Sequence, residues 1–506
     1  MCAKVTSIGL KGLEGYRVHV EVGAFVGNDS IKIVGLPDAA VKESKLRILA
    51  ALRSLGYTLS GQNIIINLSP AEQKKSGPTF DFPMAVSVLI SLNELTMSIP
   101  ESTGFIGALS LDGQIQPFEG MLAAVLAAKK LGLRKLYLPF DAKLPFLKFP
   151  EMELIYVSSL KEAIAHLEGC WQPPAHHQPE QPETAKNCLD LAQIIGQRYA
   201  KNALETAAAG EHHVLITGPP GCGKSLLAEC FSTILPPLTR DAQLEMISLY
   251  QLRGYSIDAP KMPPFRNPHH SASAVSIIGG GTFPKPGEIS LAHRGVLFLD
   301  EIAEFSKITL EMLRQPLESG SVSISRTNAT ITYPASFILL AAMNPCPCGY
   351  AGSNSHYCIC TAKQIRAYQN KLSGPLRDRF DLQLFMKPED FRSVKGETEE
   401  SSETVRKRVE MAREKQYDRY GEEICNSRVP YEVLVKLSPL TSEQQRTLQQ
   451  ISIKKNWSNR TFIKIIRLAR TIADLQGIRE IKDQNIWEAI KLNTGVSGRR
   501  KSSIIL

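Results

Sequence analysis

The sequence has no apolar run long enough to span a membrane, and its first residues lack the basic-then-apolar pattern of a secretion signal. We therefore expect a cytoplasmic protein with no membrane partner. Ten cysteines in 506 residues do not make a disulfide framework at this length. No internal repeat is visible, so a repeat architecture is not expected.

The composition is otherwise ordinary. Hydrophobic residues make up 43% and charged residues 22% of the chain, as in soluble globular proteins. A length of 506 residues exceeds what one hydrophobic core accommodates and indicates two to four domains. The net charge of +9 permits nucleic-acid binding without requiring it, because a mildly basic enzyme would have the same balance.

The most informative segment is a glycine-rich turn between a strand-like run at 213–217 and a helical pattern that begins at Leu226. Backbone N–H groups of such a turn wrap a phosphate chain, while a lysine contacts the outer phosphates and a hydroxyl binds Mg²⁺. We therefore predict a nucleoside triphosphate site with Mg²⁺. Its residues are Gly218, Pro219, Pro220, Gly221, Cys222, Gly223, Lys224 and Ser225.

Two further strands end in polar residues that fit this site. The apolar run at 295–299 ends in Asp300, which we expect to hold the Mg²⁺ shell, and Glu301, which we expect to orient and deprotonate a water. A glycine-rich match alone can arise by chance, but two motifs in this order favour a nucleotide site over a solvated acidic turn. A third apolar run at 337–343 ends at Asn344, which either faces the terminal phosphate or simply caps the strand.

Several arginines further along the chain are candidates for stabilising phosphate charge. Arg377 and Arg379 lie at the end of a short predicted helix and are expected to reach a neighbouring subunit's nucleotide rather than their own. An arginine supplied in this way stabilises charge on the transferring phosphoryl group. Arg460 begins a later helix, from which we expect it to approach the same phosphates. The alternative for each is an ordinary surface ion pair, which is the interpretation we favour for Arg467 and Arg470.

The chain divides by pattern into four segments. Residues 1–168 alternate strands and helices, and residues 169–187 form a polar, proline-rich linker. Alternating strands and helices in 188–390 predict a parallel sheet with helices on both faces and a site at the strand carboxyl ends. Residues 391–506 contain helical patterns and a loose basic tail. The predicted fold class is therefore α/β with an all-α carboxy-terminal lid.

Four cysteines cluster in the loop at 346–360, immediately after Asn344. Four thiolates are the preferred tetrahedral ligand set for structural Zn²⁺, although two C-x-C pairs are more tightly spaced than usual. A closed site of this kind orders a loop and leaves no open position for catalysis. Unmetallated thiols, a redox pair and an iron–sulfur cluster remain alternatives, and His356 is a substitute ligand. The predicted zinc ligands are Cys346, Cys348, Cys358 and Cys360.

The order of these motifs resembles that of AAA+ ATPases. The segments 264–270, 279–281 and 286–293 narrow the resemblance to the magnesium-chelatase-like branch and to the ComM/YifB family, over nearly the whole chain. This implies ATP and Mg²⁺ as cofactors, a homo-hexameric ring and a comparable zinc-finger-like cysteine loop. By position, the resemblance implies that Lys224 and Ser225 bind phosphate and Mg²⁺, and that Asp300 and Glu301 hold the metal and the water. It implies that Asn344 is the first sensor and Arg460 the second sensor. The arginine finger would be Arg379 rather than Arg377.

The same resemblance implies an ATP-driven DNA motor, a helicase that promotes branch migration of recombination intermediates in natural transformation. Its implied partners are single-stranded, forked or branched DNA and recombination proteins. Candidate DNA contacts are the segment 262–292, with a mobile tip at its triple glycine, and a predicted hairpin at 322–333 with Arg326 near its tip. Packing of both loops between subunits is the alternative.

The amino-terminal segment resembles the proteolytic domain of Lon, on the segments 75–78, 107–113 and 119–121. That mechanism needs a serine activated by a lysine amine, and the corresponding positions here are Thr79 and Ala124. Alanine accepts no proton, so we predict a catalytically inactive binding or assembly domain. The alternative functions are an ATP-dependent protease or chaperone of Lon type and a chelatase-like protein remodeller.

Overall fold

The computed structural model describes most of the chain. The predicted linker lies outside the described residues from position 173 onward, as does the basic tail after 495. Among the described helices, none combines the length and the apolar character that a membrane crossing requires. The described ranges are 2–141, 144–145, 147, 149–172, 189–255, 261–281, 284–326, 329–353, 356–388 and 399–495.

The first compact unit comprises residues 1–182 and 243–259. Its strands are β1 (Cys2–Lys11), β2 (Glu14–Val26), β3 (Ser30–Val34), β4 (Gln62–Ser69), β5 (Thr103–Phe105), β6 (Ala108–Leu109), β7 (Ile115–Gln116), β8 (Lys135–Leu138) and β9 (Glu153–Tyr156). Its helices are α1 (Ala39–Ser54), α2 (Asp81–Ser91), α3 (Met121–Lys130) and α4 (Leu160–Leu167).

Seven of these strands form one mixed sheet in the order β3-β4-β2-β1-β5-β8-β9. Alternate side chains of β2, at Val18, Val20 and Val22, are fully buried, as expected when one face of a strand packs against helices. Helix α1 begins after Asp38, whose carboxylate accepts a hydrogen bond from the Val41 N–H at 2.8 Å. The unit therefore has its own sheet and its own core.

The second compact unit comprises residues 183–242 and 260–506. Its strands are β10 (Val214–Thr217), β11 (Phe265–Arg266), β12 (Gly279–Gly280), β13 (Lys285–Pro286), β14 (Val296–Leu299), β15 (Ser321–Arg326), β16 (Ala329–Pro334), β17 (Ile338–Met343) and β18 (Leu382–Phe385). The helices from residue 198 onward are α5 (Arg198–Gly210), α6 (Lys224–Phe231), α7 (Arg240–Arg253), α8 (Ala274–Ile278), α9 (Glu288–Leu291), α10 (Lys307–Met312), α11 (Pro316–Ser319), α12 (Ala362–Gln369), α13 (Gly374–Arg377), α14 (Ser402–Tyr420), α15 (Tyr431–Leu437), α16 (Ser442–Lys454), α17 (Asn459–Leu475) and α18 (Asp483–Thr494). Of these, α7 belongs to the first unit from residue 243 onward.

A five-stranded sheet organises this unit in the order β11-β14-β17-β10-β18, with every neighbouring pair parallel. Every residue of β14 and β17 is buried, which is why both appear in the sequence as continuous apolar runs. Because parallel strands share one direction, the carboxyl ends of β10, β14 and β17 meet at one edge. The predicted α/β class, with a parallel sheet and a helical carboxy-terminal region, is confirmed.

His213, immediately before β10, gives this unit a pH-dependent contribution to stability. Its Nδ1 accepts a hydrogen bond from the Leu339 N–H of β17 at 3.0 Å, which requires an unprotonated nitrogen. Burial lowers the pKa of His213 to about 4. The stabilisation is therefore complete above the ordinary histidine pKa of about 6.5 and is lost as the pH falls toward 4.

We expect this group to remove about 2 kcal/mol from the free energy of unfolding between pH 7 and pH 5. Urea unfolding at the two pH values measures the loss. The variant His213→Gln keeps an amide oxygen as acceptor but does not titrate, so it should lose less stability over the interval. Equal losses in the variant and the parent would contradict this role.

Candidate functional site

The glycine-rich turn connects β10 to α6. Gly223 precedes α6 with a φ of 88°, a left-handed backbone angle that glycine adopts without steric cost. Helix α6 then begins at Lys224. The first N–H groups of a helix lack partners within the helix and bind anions, so this turn has the backbone geometry of a phosphate site.

The ammonium group of Lys224 links this turn to the end of β17. Its Nζ donates to the carbonyl oxygens of Gly218 and Pro219, each at 2.9 Å, and to Asn344 Oδ1 at 3.2 Å. The strands β10 and β17 are adjacent in the sheet, which is why residues 120 positions apart meet here. The structure therefore brings together the predicted phosphate lysine and the predicted sensor amide.

The carboxylate of Asp300 is held from two sides. The Ser225 hydroxyl donates to Asp300 Oδ2 at 2.8 Å, and the Glu301 N–H donates to Asp300 Oδ1 at 2.9 Å. Glu301 is exposed and has a φ of 49°, which is uncommon for a residue other than glycine and is typical of functional sites. A hydroxyl and a carboxylate side by side are the oxygen ligands that Mg²⁺ prefers.

These side chains fit a triphosphate with its metal ion. The turn supplies N–H donors and Lys224 a positive charge, both of which suit phosphate oxygens. Ser225 and Asp300 suit Mg²⁺, and Glu301 offers a carboxylate at the same sheet edge. Bound Mg²⁺ would neutralise charge on the phosphates; the chain's own part is to hold the phosphates and place a carboxylate for a water.

The predicted arginine finger, Arg379, and the predicted second sensor, Arg460, share one partner. Arg379 Nη2 and Arg460 Nη2 donate to the two carboxylate oxygens of Glu318, at 2.7 Å and 2.5 Å. Within the described residues, no hydrogen bond or ion pair joins either arginine to residues 218–225. Sequence reasoning missed Glu318, since no motif surrounds it.

The alternative finger, Arg377, has a different environment. Its Nη2 donates to the Gln369 carbonyl at 2.9 Å, and burial lowers the pKa of its guanidinium. The carbonyl it contacts ends the preceding helix α12. This hydrogen bond holds Arg377 against the end of helix α12 of its own chain.

The expected surface ion pairs at Arg467 and Arg470 are wrong. Arg470 is fully buried, where it donates to the backbone carbonyls of Ile478 and Arg479 and pairs with Asp474 at 3.0 Å. Arg467 donates to a backbone carbonyl, at 2.6 Å. The spacing of Arg470 and Asp474 by one helical turn was the available signal for a pair, but it does not reveal burial.

The predicted mobile tip at the triple glycine is also wrong for two of its residues. Gly279 and Gly280 are buried in β12 and pair with β13. A Cβ on Gly279 would lie 2.5 Å from the Lys285 carbonyl oxygen, so glycine serves close backbone approach here. The segment is further fixed by a bidentate ion pair from Arg266 to Glu288, at 2.6 and 2.9 Å.

The second candidate DNA contact is the hairpin. Strands β15 and β16 pair antiparallel from Ser321↔Pro334 to Arg326↔Ala329, which confirms the hairpin predicted from alternation. The turn at 327–328 lies outside the described residues, as does the side chain of Arg326. The structure therefore describes the two strands of the hairpin.

The four cysteines converge into one cluster. Cys346 Sγ lies 3.3 Å from Cys348 Sγ and 3.7 Å from Cys358 Sγ, and all four sulfur atoms lie within 4.8 Å of one another. Zn–S bonds of about 2.3 Å in a tetrahedron place the sulfurs about 3.8 Å apart, whereas a disulfide needs about 2.05 Å. The donor set thus fits a tetrahedral metal ion. His356 instead stacks its ring on Tyr350, with centroids 4.7 Å apart.

The cysteine loop packs directly on the glycine-rich turn. A Cβ on Gly349 would lie 2.7 Å from Cδ of Pro220 and 4.0 Å from Cγ of Asn344. Cys346 follows Asn344 by two residues, and its buried sulfur accepts the Ala351 N–H at 3.2 Å. The predicted sensor, Asn344, therefore lies beside this loop.

In the first unit, the positions that correspond to the serine and the lysine of Lon do not form a catalytic pair. Thr79 is buried just before α2, and Ala124 is buried within α3. Lys129 and Lys130 end α3 at exposed positions, and Lys129 lies over the ring of Phe149 at 5.2 Å. Within the described residues, no hydrogen bond joins Thr79 to a lysine amine. The inactivity of this domain stays a prediction.

The fold and the site together define the class of this protein, an AAA+ ATPase of the magnesium-chelatase type. The defining features are a parallel sheet with the glycine-rich turn (the P-loop), an Asp-Glu pair at the end of one strand, a polar residue at the end of the neighbouring strand, and a helical carboxy-terminal region. Models of the magnesium-chelatase families match this chain along most of its length. The matches are "Magnesium chelatase, subunit ChlI" over 190–394, "Subunit ChlI of Mg-chelatase" over 20–142, and "Magnesium chelatase, subunit ChlI C-terminal" over 399–493.

Sequence identity to individual proteins places the chain more narrowly within this class. The chain is 37% identical over 497 residues to Competence protein ComM of Haemophilus influenzae, covering 96% of each chain. It is 38% identical over 486 residues to the uncharacterized protein YifB of Salmonella typhimurium, covering 95% of this chain and 94% of the relative. The chain therefore belongs to the ComM/YifB family of magnesium-chelatase-like AAA+ proteins.

The likeness to Lon is weaker and shorter. Lon protease 2 of Bacillus subtilis is 25% identical over 188 residues, which cover 34% of this chain and 33% of the protease. The aligned part lies in the amino-terminal region. The resemblance of that region to Lon is thus confirmed as a similarity of sequence.

Proposed function

We propose that this protein is an ATP-driven hexameric DNA motor, a helicase that promotes branch migration of recombination intermediates in natural transformation. The observation that carries the proposal is the 37% identity to Competence protein ComM over 96% of both chains. The nucleotide site at the strand ends supplies the energy source that such a motor needs. Recombination proteins and single-stranded, forked or branched DNA are its proposed partners.

The proposed hydrolysis follows from the contacts at the sheet edge. Lys224 binds the outer phosphates of ATP, and Ser225 and Asp300, already joined at 2.8 Å, bind Mg²⁺. Glu301 activates the attacking water, and Asn344, held by Lys224 at 3.2 Å, orients it against the terminal phosphate. Arg379 and Arg460 act on the ATP of a neighbouring subunit.

DNA contact is proposed for two elements of the ATPase unit, the hairpin β15–β16 and the segment 262–292. The hairpin's exposed face carries hydroxyl groups, including Ser323 and Thr332, whose oxygens lie 3.1 Å apart. Hydroxyl groups suit phosphate contacts that are independent of base sequence. Binding of this kind weakens steeply as salt concentration rises.

The ATPase assay tests this function and separates it from the alternatives. Forked or four-way DNA should stimulate ATP turnover of the purified protein, while Lys224→Ala sets the background. Stimulation by unfolded protein instead of DNA would favour a Lon-type protease or chaperone. Turnover that responds to neither would favour a chelatase-like remodeller, which works on a partner protein.

We further propose that residues 1–168 form a Lon-like assembly or binding domain, joined by a linker at 169–187 to an ATPase core at 188–390 and a helical lid at 391–506. The buried Ala124 at the lysine position of the Lon mechanism supports a role without proteolysis. Peptide hydrolysis by the purified protein that depends on Thr79 would contradict it.

We also propose that the cysteine cluster binds one structural Zn²⁺. Sulfur–sulfur distances of 3.3 to 3.7 Å among Cys346, Cys348 and Cys358 support this metal over a disulfide. The ion would close the loop that packs on Pro220, and so support the nucleotide turn. Structural zinc in small peptides contributes about 10–16 kcal/mol at neutral pH, enough to order such a loop.

Removing the metal should lower ATP turnover by up to about 100-fold, because displacing a catalytic group by 1 Å has effects of that size. Chelation under reducing conditions, followed by metal analysis and an ATPase assay, measures both losses together. Cys348→Ser should lose the metal and the activity. The exposed Cys170 lies outside the cluster, so Cys170→Ser should keep both. Protein purified under reducing conditions that carries no metal would refute the site.

A further inference from the structure

We propose that Glu318 is a positioning residue that holds Arg379 and Arg460 together as one cationic pair for the triphosphate of a neighbouring copy. The inference rests on the proposed hydrolysis of ATP across a subunit interface. Glu318 lies outside every nucleotide-binding motif of the chain and near the end of the short helix α11.

One carboxylate bridges two guanidinium groups that come from distant parts of the sequence. Glu318 Oε2 accepts from Arg379 Nη2 at 2.7 Å, and Glu318 Oε1 accepts from Arg460 Nη2 at 2.5 Å. Charge-assisted hydrogen bonds of this kind are stronger than neutral ones. Without the carboxylate, two positive groups at this separation would repel each other and take up other orientations.

The backbone around Arg379 is fixed by a different residue. Lys464, one turn after Arg460 on α17, donates to the carbonyl oxygens of Asp378 and Phe380, which flank Arg379. The Lys464 side chain is only 9% exposed. Lys464 thus sets where the chain carrying Arg379 lies against α17, whereas Glu318 sets how the two guanidinium groups are turned. Losing Glu318 should therefore affect catalysis more than folding.

The bridged pair borders an open groove. Glu318 and Arg379 line a cavity of about 360 Å³ together with Glu311, Arg314, Gln315 and Ser319. Among the described residues, Glu318 is the only acceptor for Arg460, whose side chain is 39% exposed. A guanidinium has five N–H groups, so Arg460 keeps donors for phosphate oxygens while it contacts Glu318.

A double-mutant cycle on ATP hydrolysis tests this role. Glu318→Ala should lower kcat about tenfold, the scale on which residues behind a reacting group act, and leave KM for ATP and the melting temperature unchanged. In an Arg379→Ala background the same change should have a smaller further effect than in the parent, because only Arg460 remains for Glu318 to position. Glu403→Ala, which breaks an exposed pair with Lys407, is the matched control and should keep full turnover.

Conservative variants distinguish positioning from mere packing. Glu318→Gln keeps the side-chain volume without the charge and should be impaired, and it serves as the test if Glu318→Ala does not fold. Glu318→Asp keeps the charge and should recover part of kcat. Unchanged kcat in Glu318→Gln, or losses that add to those of Arg379→Ala, would overturn the proposal.

The outcomes separate this inference from the functions on which it rests. Turnover is measured without DNA, so failure of the motor proposal leaves the test intact. An Arg379→Ala protein that hydrolyses ATP at the parent rate would remove the finger assignment and this inference with it. An impaired Arg379→Ala beside a fully active Glu318→Gln would remove the positioning role alone.

Discussion

Arg379→Ala is expected to lower ATP turnover of the assembled protein by about 10³-fold or more, the effect typical of an arginine that stabilises a transferring phosphoryl group. Among the described residues, no hydrogen bond or ion pair joins this residue to the glycine-rich turn of its own chain, which agrees with the proposal that it acts on a neighbour's ATP. Affinity for ATP should be preserved because the P-loop is untouched. Steady-state hydrolysis and equilibrium nucleotide binding measure the two properties.

Mixing subunits shows whether this arginine acts across an interface. A Lys224→Ala subunit cannot hold ATP but still presents Arg379, whereas an Arg379→Ala subunit holds ATP without an arginine partner. Mixed rings should therefore recover part of the turnover that each variant alone lacks. No recovery at any mixing ratio would contradict action in trans.

Glu301→Gln is expected to bind ATP with Mg²⁺ and to hydrolyse it about 10²- to 10⁴-fold more slowly, the contribution typical of a general base. Glutamine keeps the size of the side chain but cannot take the proton from water. Binding should survive because Asp300 and Ser225 remain hydrogen-bonded to each other. A single-turnover experiment with labelled ATP separates slow chemistry from weak binding.

The matched control lies in the next turn of the chain. Glu304 is exposed and pairs with Lys371 at 3.1 Å, so Glu304→Gln should hydrolyse ATP at nearly the parent rate. Normal turnover in Glu301→Gln would refute the assignment of the water-activating carboxylate. Equal losses in both variants would point to a general effect of charge rather than to a base.

Much of the nucleotide site could be predicted because it follows from regular geometry. Buried parallel strands appear as continuous apolar runs, and their carboxyl ends must meet at one edge. The contacts of Lys224 with Asn344 and of Ser225 with Asp300 are the result. The hairpin β15–β16 was likewise predictable from its alternating residues.

Contacts between distant segments could not be predicted in this way. Glu318 meets Arg460 across 142 positions, and no local pattern marks either the distance or the pairing. The spacing of the cysteines indicated a metal site, but not that Gly349 would pack on Pro220. Burial of Arg470 was missed because a buried and an exposed ion pair have the same helical spacing.

We propose that ATP hydrolysis at subunit interfaces moves DNA. A synthetic four-way junction with one labelled strand, incubated with the protein, ATP and Mg²⁺, tests this proposal. We predict that the parent protein resolves the junction into its branch-migrated products, and that Glu301→Gln does not. A protein that hydrolyses ATP fully yet leaves junctions, forks and single strands unbound and unchanged would contradict the claim.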